Sequence, residues 1–578
     1  MNFVQIGFLF VVMFQVATGA FGSRTNSDRD EIYTDISSIF ENYYAPKEWK
    51  SAHFAWDLDT ELAKLKEATT TNEIQDFHKA LKSFFVSLRD YHSSILFTDN
   101  GKSTLPISIK YIAGKFYVSY ISPTYGDCML LPGDEIVKIN GVDVEGLALG
   151  LIGNIANPSL TDWALSALKL TNRTGAVGDP VEKGPVVIEA KRGPQMVEAQ
   201  LVWQNVENTI GPHKGQSLSN FKYNESLGVT LEKKIGGLME NIESHVAAVS
   251  YRLQLSDFLR TNPLQQVNNP MALGKKESFL PKLGEQIWWQ ADADNPFEAY
   301  IYEDEEKNKI GFIRIANYSP DEAIGDANFH MNKFGEIINL MNKKTDILVI
   351  DQLNNPGGNA LYLYSLASAL TQKQLRTPRH QFSIDSKDIF EAQKMQEEIE
   401  FLVPLMELVQ GQKIGSMFGY PLDMKFIYHL QSYYQFIIDQ YEQEKYLTDP
   451  YFLHGVDFIY PSSTYQYTKP ILLLINELDF SGGDFFPEIM RQSDKVTLMG
   501  TTTAGAGGYV LAKAERNRSG ILGYSYTGSL AIKSDNLPLE NLGVPPHIEY
   551  VMSPLDLMYG FLVYKQAIND TVKSILKK

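Results

Sequence analysis

The sequence predicts a multidomain α/β protein. Helical spacing fills the first hundred residues, short alternating strands follow, and the second half repeats a buried strand, a glycine-bearing turn and a helix. At 578 residues the chain exceeds one compact core, and ordinary domain sizes divide it into roughly three or four units.

The opening run Met1–Ala17 is apolar over too short a span to cross a bilayer comfortably, and Thr18, Gly19, Ala20 and Gly22 follow it. This reads as a signal peptide, residues 1–22, although no Lys or Arg precedes the apolar run. The expectation is an exported protein, periplasmic or extracellular, without stable membrane insertion once the signal is cut. Residues 23–100 form a helical domain: Ile32, Ile36, Ile39 and Phe40, then Phe77, Leu81, Phe84, Phe85 and Leu88, recur at three- and four-residue spacing. The second helix delivers Asp90-Tyr91-His92 at its end.

Residues 101–206 read as strands, Ile107–Ile112 and Lys115–Ile121 first. The stretch Leu131-Pro-Gly-Asp-Glu-Ile-Val-Lys-Ile-Asn-Gly-Val-Asp-Val144 is similar to the loop and hairpin of PDZ modules, with Asn140-Gly141 as the turn. Val186–Lys191 and Val197–Trp203, joined at Arg192–Gln195, close the unit. Such modules bind peptide ends by strand addition. From 207 to 282 the composition shifts to Asn, Ser, Gly, Lys and Gln, with one helix expected over Leu231–Leu255; a long weakly patterned insertion is usually functional or mobile.

The core then runs from 283 to 387 and from 456 to 578, separated by a helical insertion, 388–455. Its signals are strands Ala299–Tyr302 and Ile310–Ile315, a helix Phe329–Met341, and three strand-then-turn units. Ile347–Ile350 ends in Asp351-Gln-Leu-Asn-Asn-Pro-Gly-Gly358 before the helical run Ala360–Leu370. Lys469–Asn476 continues through Glu477–Phe480 into Ser481-Gly-Gly-Asp484 and a helix, Phe485–Arg491. Lys495–Gly500 leads into Thr501-Thr-Thr-Ala-Gly-Ala-Gly-Gly508. Glycines after a strand let the backbone turn sharply and present its N–H groups, and a hydroxyl at a strand-to-helix junction sits where a nucleophile and an oxyanion site can be built together. Within the insertion Tyr433, Phe436, Ile437 and Tyr441 share one helical face, and Pro554–Lys577 reads as a single amphipathic helix.

Composition removes other classes. A net charge of −17 argues against nucleic acid or an anionic membrane as partner. Cys128 is the only cysteine, so no internal disulfide forms, and it reads as a packed, inert thiol. The ten His show no paired metal spacing, so neither metal nor cofactor is expected.

The chain resembles the S41 family of C-terminal-processing serine peptidases. The resemblance rests on Tyr44-Ala-Pro-Lys47 with Trp56-Asp-Leu58, Leu88–His92, Ile350–Gly358, Tyr362-Leu-Tyr364, Ile475–Ser481, Asp484–Pro487, Thr503–Gly508, Thr527–Ala531 and Glu540–His547, in the family's order. It implies a crotonase/ClpP-like catalytic core and amide hydrolysis of protein or peptide substrates through an acyl-enzyme. It also implies Ser481 as nucleophile, His92 as general base and Glu540 as its orienter. Backbone N–H groups of Gly357 or Gly358 and of Gly482 would hold the oxyanion. One branch of the family uses a Ser-Lys dyad with the Lys in the Thr/Gly loop; Ala506 stands there in this chain and cannot act as a base. Asp90 is a rival orienter, and Asp351 and Asp484 read as capping or turn carboxylates. The resemblance further suggests a homodimer and a zymogen cut within 207–282. Two rivals share the fold: a non-catalytic protein binding a hydrophobic ligand or peptide, and an esterase using the same three residues.

Overall fold

The computed structural model describes residues 28–71, 73–123, 125, 128–207, 269–321, 324–408 and 415–577. The expected signal peptide and the expected helix Leu231–Leu255 lie outside the described residues.

A seven-stranded sheet carries the core, in the order Gln286–Gln290, Ala299–Glu303, Lys309–Arg314, Ile347–Asp351, Ile471–Ile475, Val496–Gly500 and Ile548–Glu549. From Lys309–Arg314 onward every neighbour is parallel. Parallel strands are buried on both faces, and these read as unbroken apolar runs for that reason. Leu348, Ile350, Leu473 and Ile475 point into one cluster with the helices Ala327–Lys344, Ala360–Ser368 and Gly482–Met490. Ile347, Val349, Leu472 and Leu474 point into the other, against the C-terminal helix residues Tyr564, Ile568 and Val572.

The module after the N-terminal helices is a second sheet with two helices, Val144–Leu151 and Leu160–Thr171. Asn140 and Gly141, at φ 50° and 75°, make the expected hairpin turn, with Ile139 opposite Val142. The N-terminal helices 28–42, Lys47–Phe54, Leu58–Ala68 and Ile74–Ser87 share a cluster with Ile521 and Tyr524 from the far end of the chain. Strand Ser94–Phe97 explains this, because it pairs antiparallel with Ile521–Thr527 and thereby draws the His92 turn onto the core.

Three expectations need correction. The C-terminal segment is two helices, Pro554–Met558 and Leu562–Leu576, because Gly560 and Phe561 turn left-handed at φ 58° and 63° and Phe561 packs its ring 5.0 Å from Phe279. The insertion is not wholly helical: a hairpin of Gly415–Met417 and Tyr420–Leu422 precedes the helix Met424–Glu442. On that helix Tyr433 and Ile437 are buried whereas Tyr441 is exposed, since the apolar face ends a turn before the helix does.

Candidate active site

Three turns leave the carboxyl ends of three adjacent parallel strands, Ile347–Asp351, Ile471–Ile475 and Val496–Gly500. Sites in open α/β sheets form at that edge. The first two turns are laced together. Asn354 donates its N–H to Asn476 Oδ1 at 3.0 Å and accepts from Asn476 Nδ2 at 2.8 Å. Asp479 accepts the Asn355 N–H at 2.9 Å, the Asn476 N–H at 3.0 Å and Gln352 Nε2 at 3.0 Å. Burial raises the Asp479 carboxyl well above its ordinary value in spite of these donors.

Ser481 precedes the helix Gly482–Met490 but does not cap it: its hydroxyl makes no capping bond, and its backbone stands at φ 54°, ψ −112°. That conformation is costly for a residue with a Cβ and persists only where the surroundings enforce it. Here Phe480 N–H is fixed to Asn355 O at 2.8 Å, and Asp484 and Phe485 N–H both return to Ser481 O, at 2.8 and 2.9 Å. The hydroxyl is therefore held at a sharp strand-to-helix turn, as at a nucleophile elbow.

The glycine turn lies directly against it. A Cβ on Gly357 would come within 2.8 Å of Ser481 Cβ and 2.7 Å of Gly482 N; one on Gly482 would come within 3.1 Å of Gly358 N. Only glycine allows that approach. Gly357 donates its N–H to Asn355 Oδ1 at 2.8 Å. The N–H groups of Gly358 and Gly482 have no acceptor among the described residues. Tyr318 braces the turn from below, donating N–H to Gly357 O and accepting from Asn359 N–H, both at 2.8 Å, while its hydroxyl donates to Gln352 Oε1 at 2.8 Å.

His92 sits on the opposite wall. Its N–H donates to Asp90 Oδ1 at 2.8 Å and its carbonyl accepts from Ser525 Oγ at 2.7 Å. Asp90 also accepts from Ser93 Oγ at 2.9 Å and Thr527 Oγ1 at 2.7 Å, so its carboxylate shapes the turn. Burial works to raise Asp90, but Lys50, His92 and the Thr527 hydroxyl outweigh it and leave it below the usual value. The imidazole is buried, which pushes it down to about 4, with Asp90 opposing and Lys50 reinforcing. Neither ring nitrogen has a hydrogen-bond partner among the described residues. Tyr91, beside His92, packs edge-on to Phe480, beside Ser481, with ring centroids 5.7 Å apart. The two walls thus meet, although no bond joins His92 to Ser481 or Glu540.

Glu540 is fully buried. Its Oε1 accepts from Lys50 Nζ at 2.5 Å and its Oε2 from Gly507 N–H at 2.8 Å. Burial raises its carboxyl to about 7, Lys50 and the Gly507 N–H pulling against that and Asp90 adding to it. The Thr/Gly loop reaches Glu540 because Asp484, in the first turn of the Ser481 helix, accepts from Thr503 Oγ1 at 2.5 Å, Gly505 N–H at 2.8 Å and Ala506 N–H at 3.0 Å. Burial lifts Asp484 to about 6. Asp351 is tied to Arg314 at 2.9 Å and Ser278 Oγ at 2.6 Å, and both read as framework.

Sequence reasoning missed Lys50, Tyr318, Gln352 and Asp479. Gln352 and Asp479 stand inside the two turns and follow from the need to pair two buried loops. Lys50 gave no signal, because it lies in a short helix with one buried residue, itself.

The comparisons agree with this architecture. Residues 309–550 match peptidase family S41, and residues 101–210 match a PDZ domain. A Chlamydia pneumoniae protein is 32% identical over 95% of this chain and 91% of its own length, and a Chlamydia muridarum protein is 30% identical over 94% and 92%. Among solved structures, mature CPAF, the chlamydial protease-like activity factor, is 26% identical with a TM-score of 0.78, covering 96% of this chain and 98% of that one. The same protein in complex with lactacystin aligns with a TM-score of 0.77. An N-terminal helical region, a PDZ domain and a peptidase domain occur in one chain, and this chain belongs to peptidase family S41 as a serine-type peptidase.

Proposed function

We propose that the protein is an exported serine endopeptidase that hydrolyses protein substrates through an acyl-enzyme on Ser481. The observation that carries the reading is the Ser481 turn: an uncapped hydroxyl at φ 54°, beside two N–H groups, of Gly358 and Gly482, that have no acceptor among the described residues. Two such donors match the need of a tetrahedral oxyanion, each contributing roughly 3–4 kcal/mol in comparable sites. Gly357, whose N–H already serves Asn355, is the weaker candidate.

His92 takes the hydroxyl proton as Ser481 attacks the carbonyl, and returns it to the leaving amine. Burial favours its neutral form, which is the form able to accept a proton. Its unpartnered nitrogens fit a site whose catalytic hydrogen bonds tighten on substrate binding. Glu540 orients His92 directly or through one water; each carboxylate oxygen already holds one donor and retains a lone pair for another. Asp90 is the alternative orienter, but its carboxylate already serves the turn itself.

Self-processing within 207–282 and a homodimeric state are part of the same reading, supported by family resemblance and, for the segment, by its weak patterning. Casein hydrolysis tests the activity. Wild-type protein is expected to digest casein and to convert slowly into two associated fragments, whereas Ser481→Ala stays one chain and loses activity well beyond tenfold. Activity in Ser481→Ala within a few-fold of wild type overturns the serine-peptidase assignment for this site; equal nicking of both proteins removes only the self-processing.

A further inference from the structure

The ammonium of Lys50 is completely buried and meets three acceptors: Glu540 Oε1 at 2.5 Å, Asn541 Oδ1 at 2.7 Å and Arg89 O at 2.9 Å. An ammonium has three N–H bonds, so every donor is satisfied. Asn541 closes the set by donating its Nδ2 to Arg89 O at 2.8 Å. One side chain therefore joins the carbonyl three residues before His92 to the carboxylate of Glu540, two segments that are otherwise distant in the chain. A buried lysine held this way is not a surface ion pair, and removing either charge would leave the other without compensation.

We propose that Lys50 is a positioning residue, whose ammonium keeps Glu540 ionised and fixed against the His92 turn although it never meets substrate. The proposal rests on the reading of Ser481, His92 and Glu540 as one catalytic unit. Other charged or titratable groups bear on this pocket. Asp90 opposes Glu540 ionisation, Tyr44 and Tyr91 feel the Glu540 charge, and the Gly507 N–H favours the carboxylate. His92 feels Asp90 and Lys50 with opposite sign. Among the described residues, Lys50 is the basic side chain that pairs with Glu540.

The test uses the rate at which a fluorophosphonate labels the full-length chain, followed across pH 5–9, with thermal unfolding as the control for folding. Lys50→Met is expected to lower the rate about tenfold or more at pH 7 and to move the acid limb to higher pH, because Glu540 must then ionise without its counter-charge. In the Glu540→Gln background that shift vanishes, and adding Lys50→Met changes the rate by less than about threefold. This double variant also removes both buried charges, so it remains informative if Lys50→Met alone does not fold. A folded Lys50→Met with wild-type rate and profile overturns the proposal. So does a further tenfold loss on adding Lys50→Met to Glu540→Gln, which would place Lys50 outside the Glu540 route. If Ser481→Ala still labels at the wild-type rate, the catalytic unit itself fails and the role of Lys50 falls with it; if Ser481→Ala is silent while Lys50→Met is unaffected, only the role of Lys50 fails.

Discussion

The two walls of the site are built in different ways. On the nucleophile wall the polar groups that frame Ser481 pair with groups from a neighbouring turn: Asn354 with Asn476, Asp479 with Asn355 and Gln352, Asp484 with the Thr/Gly loop. On the base wall the frame is also paired, through Asp90, Thr527 and Ser525, but neither nitrogen of the His92 ring has a partner among the described residues. On the proposed reading, Ser481 and the N–H groups of Gly358 and Gly482 are set before substrate arrives, whereas the buried His92 ring completes its hydrogen bonds on substrate binding.

Substitutions on the base wall test that contrast most strongly. His92→Ala is expected to match the Ser481→Ala defect of several orders of magnitude, and the double variant to be hardly worse than either, because members of one unit do not add. Additive losses in casein hydrolysis would separate His92 from the nucleophile. Glu540→Gln should lose less, since it keeps the shape and removes the charge. Its pH profile sharpens the comparison. In the wild type the acid limb should fall near pH 7, where Glu540 takes up its proton; in Glu540→Gln the limb should drop toward His92, whose buried ring protonates only near 4. An unchanged limb would mean that Glu540 does not govern the base.

Smaller effects compare the two frames. Asn355→Ala strands the Gly357 N–H and the Ile315 carbonyl and should cost about 2 kcal/mol of stability, together with part of the activity. Thr527→Val removes one donor to Asp90 and should cost about 1 kcal/mol. Denaturant titration measures both, and a larger loss for Thr527→Val than for Asn355→Ala would contradict this order.

The same division explains what could be read from the chain. The nucleophile wall is assembled from strand–turn–helix units, each local in sequence, so the apolar runs before Gly357-Gly358 and Ser481 announced both the elements and their glycines. The base wall is assembled across the length of the molecule. Ser94 lies opposite Ser525, and Lys50 reaches Glu540 across 490 positions. No periodicity reports such a pairing; His92 and Glu540 follow only from the family resemblance, and Lys50 from no pattern in the sequence. Nothing local in Pro554–Lys577 marks the break in the C-terminal helix, because the left-handed turn at Phe561 goes with its packing on Phe279, a tertiary contact.

The central claim is that Ser481 is an activated nucleophile, and fluorophosphonate labelling with the adduct located by mass spectrometry tests it most directly. One label per chain is expected on Ser481, lost in Ser481→Ala and strongly slowed in His92→Ala. Labelling on another residue, or labelling of Ser481 that is indifferent to His92, would contradict it.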